Sequence, residues 1–545
     1  MTRQTRWAAV CGSSLALAMG LAACTGSIGG ESDGDKAPRP SSATLSEIGE
    51  TGLRRLTAAE YDASVYDLVG VRVDSELALP EDLRTPFDND YTKQQISEAL
   101  ITAADSLAGE IAAEVVADAT LRGSIVPCEP SGPGDSACYQ QFLESFGRQV
   151  FRRPMSQAEL DGMMTFMSHA QDAGDFWVAV DSALRAFLQH PSFLYRVELG
   201  IPVEGEPGVF RLTDYELATR LSYLLLGTTP PGWLLDDAGA GKLSDAAGVR
   251  AAADKLLDED VAKQQVGRFH AMWLSYEKIP LNAELAADMQ QETMALLERV
   301  IFEQKGSWVD VLRSTETFVT AELAQHYGLD APSGSEGWVS YGDSGRRGLL
   351  SQGSFLSAVA KFDDTSPTQR GLLIRTRLFC QEIGTPPPDL MVNVDEPPEG
   401  PDPNACKSDK YNMWETDGCK LCHALMEPVG FGLENYDSAG VYRDFEPDRP
   451  DCPIDGKGAL DGIGEFTGPA ELADLMIQAG GVDECVATQF VRYAIGRYAL
   501  SDYEWSLIER VVPAAQGGGE LDFYELMLEL VSGDSFRHRR EETVQ

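Results

Sequence analysis

Basic side chains are scarce in this sequence. It carries 44 Lys and Arg against 86 Asp and Glu, a formal charge of -42 over 545 residues. A chain so acidic repels nucleic acid and anionic lipid and favours a solvated surface or cationic, metal-bearing partners. Nucleic-acid binding is therefore excluded as an expectation. Alternating apolar and polar runs, the mark of half-buried strands, are few. No H-E-x-x-H pattern, phosphate-cradling glycine loop or nucleophile triad supports a hydrolase, and a second C-x-x-C is missing.

What is present is a chain of ordinary globular composition, 43% hydrophobic and 24% charged, too long for one ordinary core. Its length predicts about three or four domains. Residues 1–23 differ from the rest. Arg3 and Arg6 precede the apolar run WAAVCGSSLALAMGLAA, which reads as a secretory signal too short for a durable membrane span. Leu21-Ala22-Ala23-Cys24 resembles a bacterial lipobox, in which Cys24 is acylated and several chains anchor a soluble body; cleavage near Ala23 as an ordinary signal peptide is the alternative. Thr25, not an aspartate, follows, so the expected location is the cell envelope, lipid-anchored at the outer membrane. Residues 24–50 are rich in Gly, Ser, Pro and Asp and read as a flexible tether.

Removing Cys11 and Cys24 leaves eight cysteines for the folded body. An exported chain oxidises its thiols. With Cys419 and Cys422 set apart, six remain; Cys128 and Cys138 are the obvious local pair, and Cys380, Cys406, Cys452 and Cys485 allow three pairings that spacing does not rank.

Apolar residues recur at three and four in LTAAEYDASVYDLVG, YELATRLSYLLL and SQGSFLSAVAKF, so the expected fold is mainly α and multi-domain. Thr57 with Glu60, Ser156 with Glu159 and Thr213 with Glu216 have capping-box spacing. Breaks are expected near 120–137, 201–209 and 330–345, and in the Pro- and Asp-rich run 385–409, which cannot pack as an element of its own.

The chemistry sits in DGCKLCHALMEPVGFGLENYD, residues 417–437. Cys419 and Cys422 stand at i and i+3 and share one face of a helical turn, with His423 next. C-x-x-C-H in that arrangement reads as covalent haem attachment through two thioethers, the imidazole being the proximal iron ligand. Three other readings stay open: a thioredoxin-like dithiol, which needs a βαβ setting; a zinc site completed by Cys406, Cys452 or Cys485; and a structural disulfide.

The residues after the motif carry a family resemblance. CKLCHALMEPVGFGLENYDSAGVYRD resembles the signature of the planctomycete-cytochrome-associated family, exported multi-module proteins whose modules are largely domains of unknown function. LRRLTAAEYDASVYDLVG, FGRQVFRRPMSQAEL, FRLTDYELATRLSYLLLG and FTGPAELADLMIQAGGVDECVATQFVRYAIGRYAL resemble further modules in family order. The resemblance implies helical modules over 51–120, 138–200, 205–335 and 460–535, with a cytochrome c-like haem module over 345–445.

Two departures stand out. Glu427 replaces the family's usual Asp before Pro428, and Met413 stands where members often carry a His six residues before the first haem cysteine. Met413 is thus the candidate distal ligand, with a packing role as its alternative; thioether ligation would raise the haem potential. Met476 is a second candidate, while Met426 and His326 read as structural. Glu434, Asp437 and Arg443 form either an ion-pair cluster that pins the loop after the motif or an acid-base set. The expected function is electron transfer through one covalent haem c, to an unidentified redox partner. A haem peroxidase or oxygenase, and a binding scaffold with a vestigial motif, are the alternatives.

Overall fold

Helix caps set much of the local structure. The principal helices are α1 (Ala58–Val69), α2 (Glu98–Ala117), α3 (Ser136–Phe151), α4 (Gln157–Met164), α5 (Phe176–Gln189) and α6 (Asp214–Leu225). They are followed by α7 (Asp260–Trp273), α8 (Ala283–Glu298), α9 (Pro367–Leu373), α10 (Lys420–Phe431), α11 (Gly468–Ala479), α12 (Val482–Ile495), α13 (Asp502–Gln516) and α14 (Phe523–Ser532). Thr57, Ser156 and Thr213 close reciprocal capping boxes at α1, α4 and α6, and Ser501 with Glu504 adds a fourth at α13. Each box satisfies two backbone donors that a helix start leaves open.

The structure, a computed structural model, describes residues 47–361, 364–384, 398, 402, 404–413 and 418–542. The expected signal segment 1–23, Cys24, most of the 24–50 tether and most of the 385–409 run lie outside the described residues. Among those described, no helix is long and apolar enough to cross a membrane.

α2 packs along α5, and α3 joins them around a core that includes Leu107, Ile111, Phe142, Phe146 and Phe187. Cys128 and Cys138 are disulfide-bonded, fixing the loop that leads into α3. A second core draws side chains from Phe87 to Phe536, so segments far apart in sequence share one interior. Within it His270 of α7 is fully buried, contacts the Val266 carbonyl at 2.8 Å and accepts the Trp308 indole N–H at 3.0 Å. Burial lowers its pKa to about 4.

Two stretches read as breaks contain short strands. Ile201–Pro202 pairs with β1 (Val209–Arg211), and β2 (Glu316–Thr320) pairs antiparallel with β3 (Glu336–Ser340). Five alternating residues are too few to stand out as a strand pattern. β4 (Lys457–Leu460) and β5 (Gly464–Thr467) form a hairpin beside α10. β6 (His538–Arg540) pairs with β1, and the Thr51 amide donates to the Arg540 carbonyl at 3.1 Å.

α9 and α10 cross with their backbones in close contact. A Cβ on Gly371 would sit 1.8 Å from the Met426 carbonyl oxygen, and one on Gly430 would sit 1.8 Å from that of Pro367. The pairings 371 with 426 and 367 with 430 make the helices antiparallel. Continuing that register places the π-helical turn Ile374–Leu378 against the first turn of α10.

Candidate functional site

α10 opens at the C-K-L-C-H motif. Cys419 precedes its first residue, and the amides of Cys422 and His423 both donate to the Cys419 carbonyl, at 3.3 and 3.2 Å. One helical turn thus gathers both thiols and the imidazole. Cys419 and Cys422 are half-buried and free, whereas the other described cysteines form three disulfides: Cys128–Cys138, Cys380–Cys485 and Cys406–Cys452. The last two resolve the pairings that spacing left open.

Those bonds bear on the competing readings. A zinc site needs further thiolates, and Cys406, Cys452 and Cys485 are all oxidised. Cys406, Cys452 and Glu446 do lie close enough to surround an ion, but the two sulfurs are bonded to each other and offer no thiolate. A thioredoxin-like dithiol needs parallel strands around it, and the named strand pairs among the described residues are antiparallel.

His423 Nδ1 lies 2.6 Å from Glu427 Oε1, one turn on. Glu427 is fully buried against α9, and its Oε1 also accepts the Thr368 hydroxyl at 3.0 Å. This network assigns the imidazole proton to Nδ1 and leaves the Nε2 lone pair available to a metal. The Cys422 thiol donates weakly to the Gly384 carbonyl at 3.7 Å. Two buried polar atoms close by have no partner among the described residues: Glu427 Oε2 and Arg375 Nη2. Free thiols at i and i+3, an oriented imidazole and orphaned buried groups fit a c-type haem.

The loop after α10 is pinned by ions. Glu434 is buried and pairs with Arg370 at 3.1 Å, Lys407 at 3.1 Å and Arg443 at 3.1 Å, and it accepts the Thr365 hydroxyl. Burial opposes ionisation of neighbouring Asp364, but Lys407 and Arg443 outweigh it and hold its carboxyl below the usual range. Arg370 further donates to the carbonyls of Leu433, Leu356, Tyr436 and Asp437. The Asp437 carboxylate accepts the amides of Ala439 and Val441, closing a turn. Glu434 and Arg443 therefore meet directly, while Asp437 organises its own loop. His326 Nε2 reaches the Ala439 carbonyl at 2.8 Å, a structural contact.

Met476 has no exposed surface and lies in the second core beside Leu472 and Ala473 of α11; Met426 is buried too. Met413 is half-buried, and residues 414–417, which join it to the motif, lie outside the described residues. A cleft of ≈ 560 Å³ runs beside α10, with Pro428 and Phe431 on one wall and Phe466 on another. Arg370, Arg375 and Thr368 were not singled out by sequence reasoning; the only signal was the unusual density of arginine in the apolar run RGLLIRTRLF.

Four family models match the chain, in order: PSD3, protein of unknown function DUF1587, over residues 54–117; PSD5, DUF1595, over 138–198; PSD4, DUF1592, over 212–329; and PSCyt3, DUF1588, over 346–446. The molecule is thus a mainly helical, multi-domain protein built from the planctomycete cytochrome-associated domains. The PSCyt3 match contains α9, α10 and the pinned loop, and so the whole constellation around His423. No curated protein and no solved structure matches the chain.

Proposed function

We propose that this chain is an exported, lipid-anchored protein of the bacterial cell envelope that carries one covalent haem c and transfers electrons to a redox partner. The carrying observation is the pair of free thiols, Cys419 and Cys422, on one turn with His423, in a chain whose other described cysteines are oxidised. In this reading Cys419 and Cys422 would hold the haem through two thioether bonds, and His423 Nε2 would ligate its iron. Bound haem supplies a one-electron ferric/ferrous couple. Glu427 and Thr368 hold the His423 ring in place, and Met413 is the proposed distal ligand. The L-A-A-C sequence ending at Cys24 supports the lipid anchor, Thr25 after it supports the outer-membrane location, and the formal charge of -42 supports no role for nucleic acid.

One observation favours a second reading, a haem peroxidase or oxygenase. The His423 Nδ1 contact is to a buried carboxylate, not to a carbonyl, and such an acceptor makes the imidazole a stronger electron donor to iron. That suits an iron with an open position.

The test is expression of the full chain with a c-type maturation system, followed by haem staining of the denatured protein. Stain retained by wild type and lost in Cys419→Ala/Cys422→Ala is expected. A six-coordinate, low-spin ferric spectrum then supports electron transfer. A five-coordinate, high-spin spectrum would overturn it in favour of the enzyme, and absence of stain would leave the motif a vestige on a binding scaffold.

A further inference from the structure

Arg375 is a buried cation with no described carboxylate beside it. The residue has no exposed surface, lies in the π-helical turn Ile374–Leu378 and is among the largest fully buried side chains. Its Nε donates to the Leu425 carbonyl at 3.0 Å and its Nη1 to Gln381 Oε1 at 3.1 Å. Nη2 has no hydrogen-bond partner among the described residues. Asp461 acts on it through space, but no ion pair joins the two among the described residues.

An arrangement like this is costly unless something completes it. A guanidinium offers five N–H donors, and buried charges in proteins are paired or hydrogen-bonded. A carbonyl and an amide oxygen satisfy part of the fork and neutralise none of the charge. By contrast Arg370, five residues earlier, meets Glu434 and four carbonyls. The two arginines share one stretch of chain and differ in having a counter-anion.

The position of Arg375 narrows what an anion there would be. The α9–α10 register sets residue 375 opposite residue 422, and Arg375 grips the carbonyl of Leu425, two residues past His423. Its other partner, Gln381, lies three residues before Gly384, whose carbonyl meets the Cys422 thiol. The unpartnered donor therefore lies beside the turn that bears both thiols and the imidazole. Haem carries two propionate groups, each a planar carboxylate suited to a guanidinium fork.

We propose that Arg375 is the counter-cation of a haem propionate, a residue that binds the cofactor by charge while Cys419, Cys422 and His423 hold it by covalent and iron bonds. The proposal rests on the c-type haem reading above. A cation fixed on a propionate offsets negative charge near the iron and thereby favours the ferrous state.

The test uses full-length protein matured with covalent haem. Wild type is expected to show a propionate bending band in its resonance Raman spectrum that shifts in D2O, since the guanidinium protons exchange. Arg375→Gln removes the charge but keeps an exchangeable N–H donor, so it is expected to keep covalent haem, move the propionate band and have a lower midpoint potential; Arg375→Lys, which keeps the charge, is expected to recover most of the potential. If Arg375→Gln does not fold, the wild-type band and the Lys variant still decide. Covalent haem with a deuterium-insensitive band, or a Gln variant with unchanged band and potential, overturns the assignment to Arg375 alone. Wild type without covalent haem overturns the haem reading and this proposal together.

Discussion

His423 Nδ1 and Glu427 Oε1 are 2.6 Å apart, one helical turn from each other, with the carboxylate fully buried. An anionic acceptor at that place increases the donor strength of the opposite ring nitrogen. Glu427→Gln keeps shape and burial but removes the charge. With the proposed haem in place, its midpoint potential should rise on this substitution. Second-shell partners typically carry about tenfold in affinity, and tenfold between two one-electron states is about 59 mV, so a rise on the order of 60 mV is expected. Spectroelectrochemical titration checks it; an unchanged or lower potential would falsify the role given to Glu427.

Gly430→Ala tests the helix crossing. In an ordinary helix interior this change stabilises by about 1 kcal/mol. Here the new Cβ would meet the Pro367 carbonyl oxygen at 1.8 Å, and backbone cannot swing aside. Overpacking costs about 1–3 kcal/mol and occasionally more, so it should outweigh the propensity gain. Denaturant unfolding should show a net loss of stability; a gain would mean that α9 and α10 are less tightly joined.

Two buried groups oppose each other in pH dependence. Burial raises the Glu292 carboxyl to about 7 from 4.5, although Thr317 and Tyr327 donate hydrogen bonds to it. The folded state then holds a proton that the unfolded state has released, so this group's contribution falls as pH rises from about 4.5 to 7. His270, lowered to about 4 from 6.5, has the reverse sign: its contribution is present above 6.5 and is lost as pH falls towards 4. Between about 4.5 and 6.5 the two slopes offset. Unfolding midpoints of Glu292→Gln across pH 4–8 should therefore rise more steeply with pH than those of wild type. Parallel curves would remove Glu292 from the balance.

The disulfides should differ in weight by loop length. Cys380–Cys485 closes 105 residues and Cys128–Cys138 only 10. On chain-entropy grounds the long loop contributes about 4–5 kcal/mol, and the short one less than about 3 kcal/mol. Paired Cys→Ala variants compared by denaturant midpoint give the order; equal losses would point to native-state strain or residual structure in the unfolded chain.

Local signals were legible in the sequence where local physics decides. Thr57, Ser156 and Thr213 announce helix starts because a capping box is complete within four residues. C-K-L-C-H is visible for the same reason, since one helical turn builds it. What could not be read is what depends on contacts across the chain. Glu427 looks like a helix residue until Thr368, 59 positions earlier, is seen to share its carboxylate. Arg370 and Arg375 look alike in sequence, and only the fold gives Glu434 to one of them. Cys380 finds Cys485 because α12 packs beside the π-helical turn, a meeting that spacing alone does not encode.

The ladder between β6 and β1 joins residues 538–540 to 209–211, and Arg540 also receives the Thr51 amide. A chain emerging residue by residue, from a ribosome or an export channel, cannot make these bonds until position 540 is out. β1 must wait with an open edge for more than three hundred residues, and Thr51 for nearly five hundred. Non-local closure of this kind is slow and leaves partly folded surface exposed in the interval. Shielding of that surface while the chain is incomplete should therefore matter to how much of the protein is made.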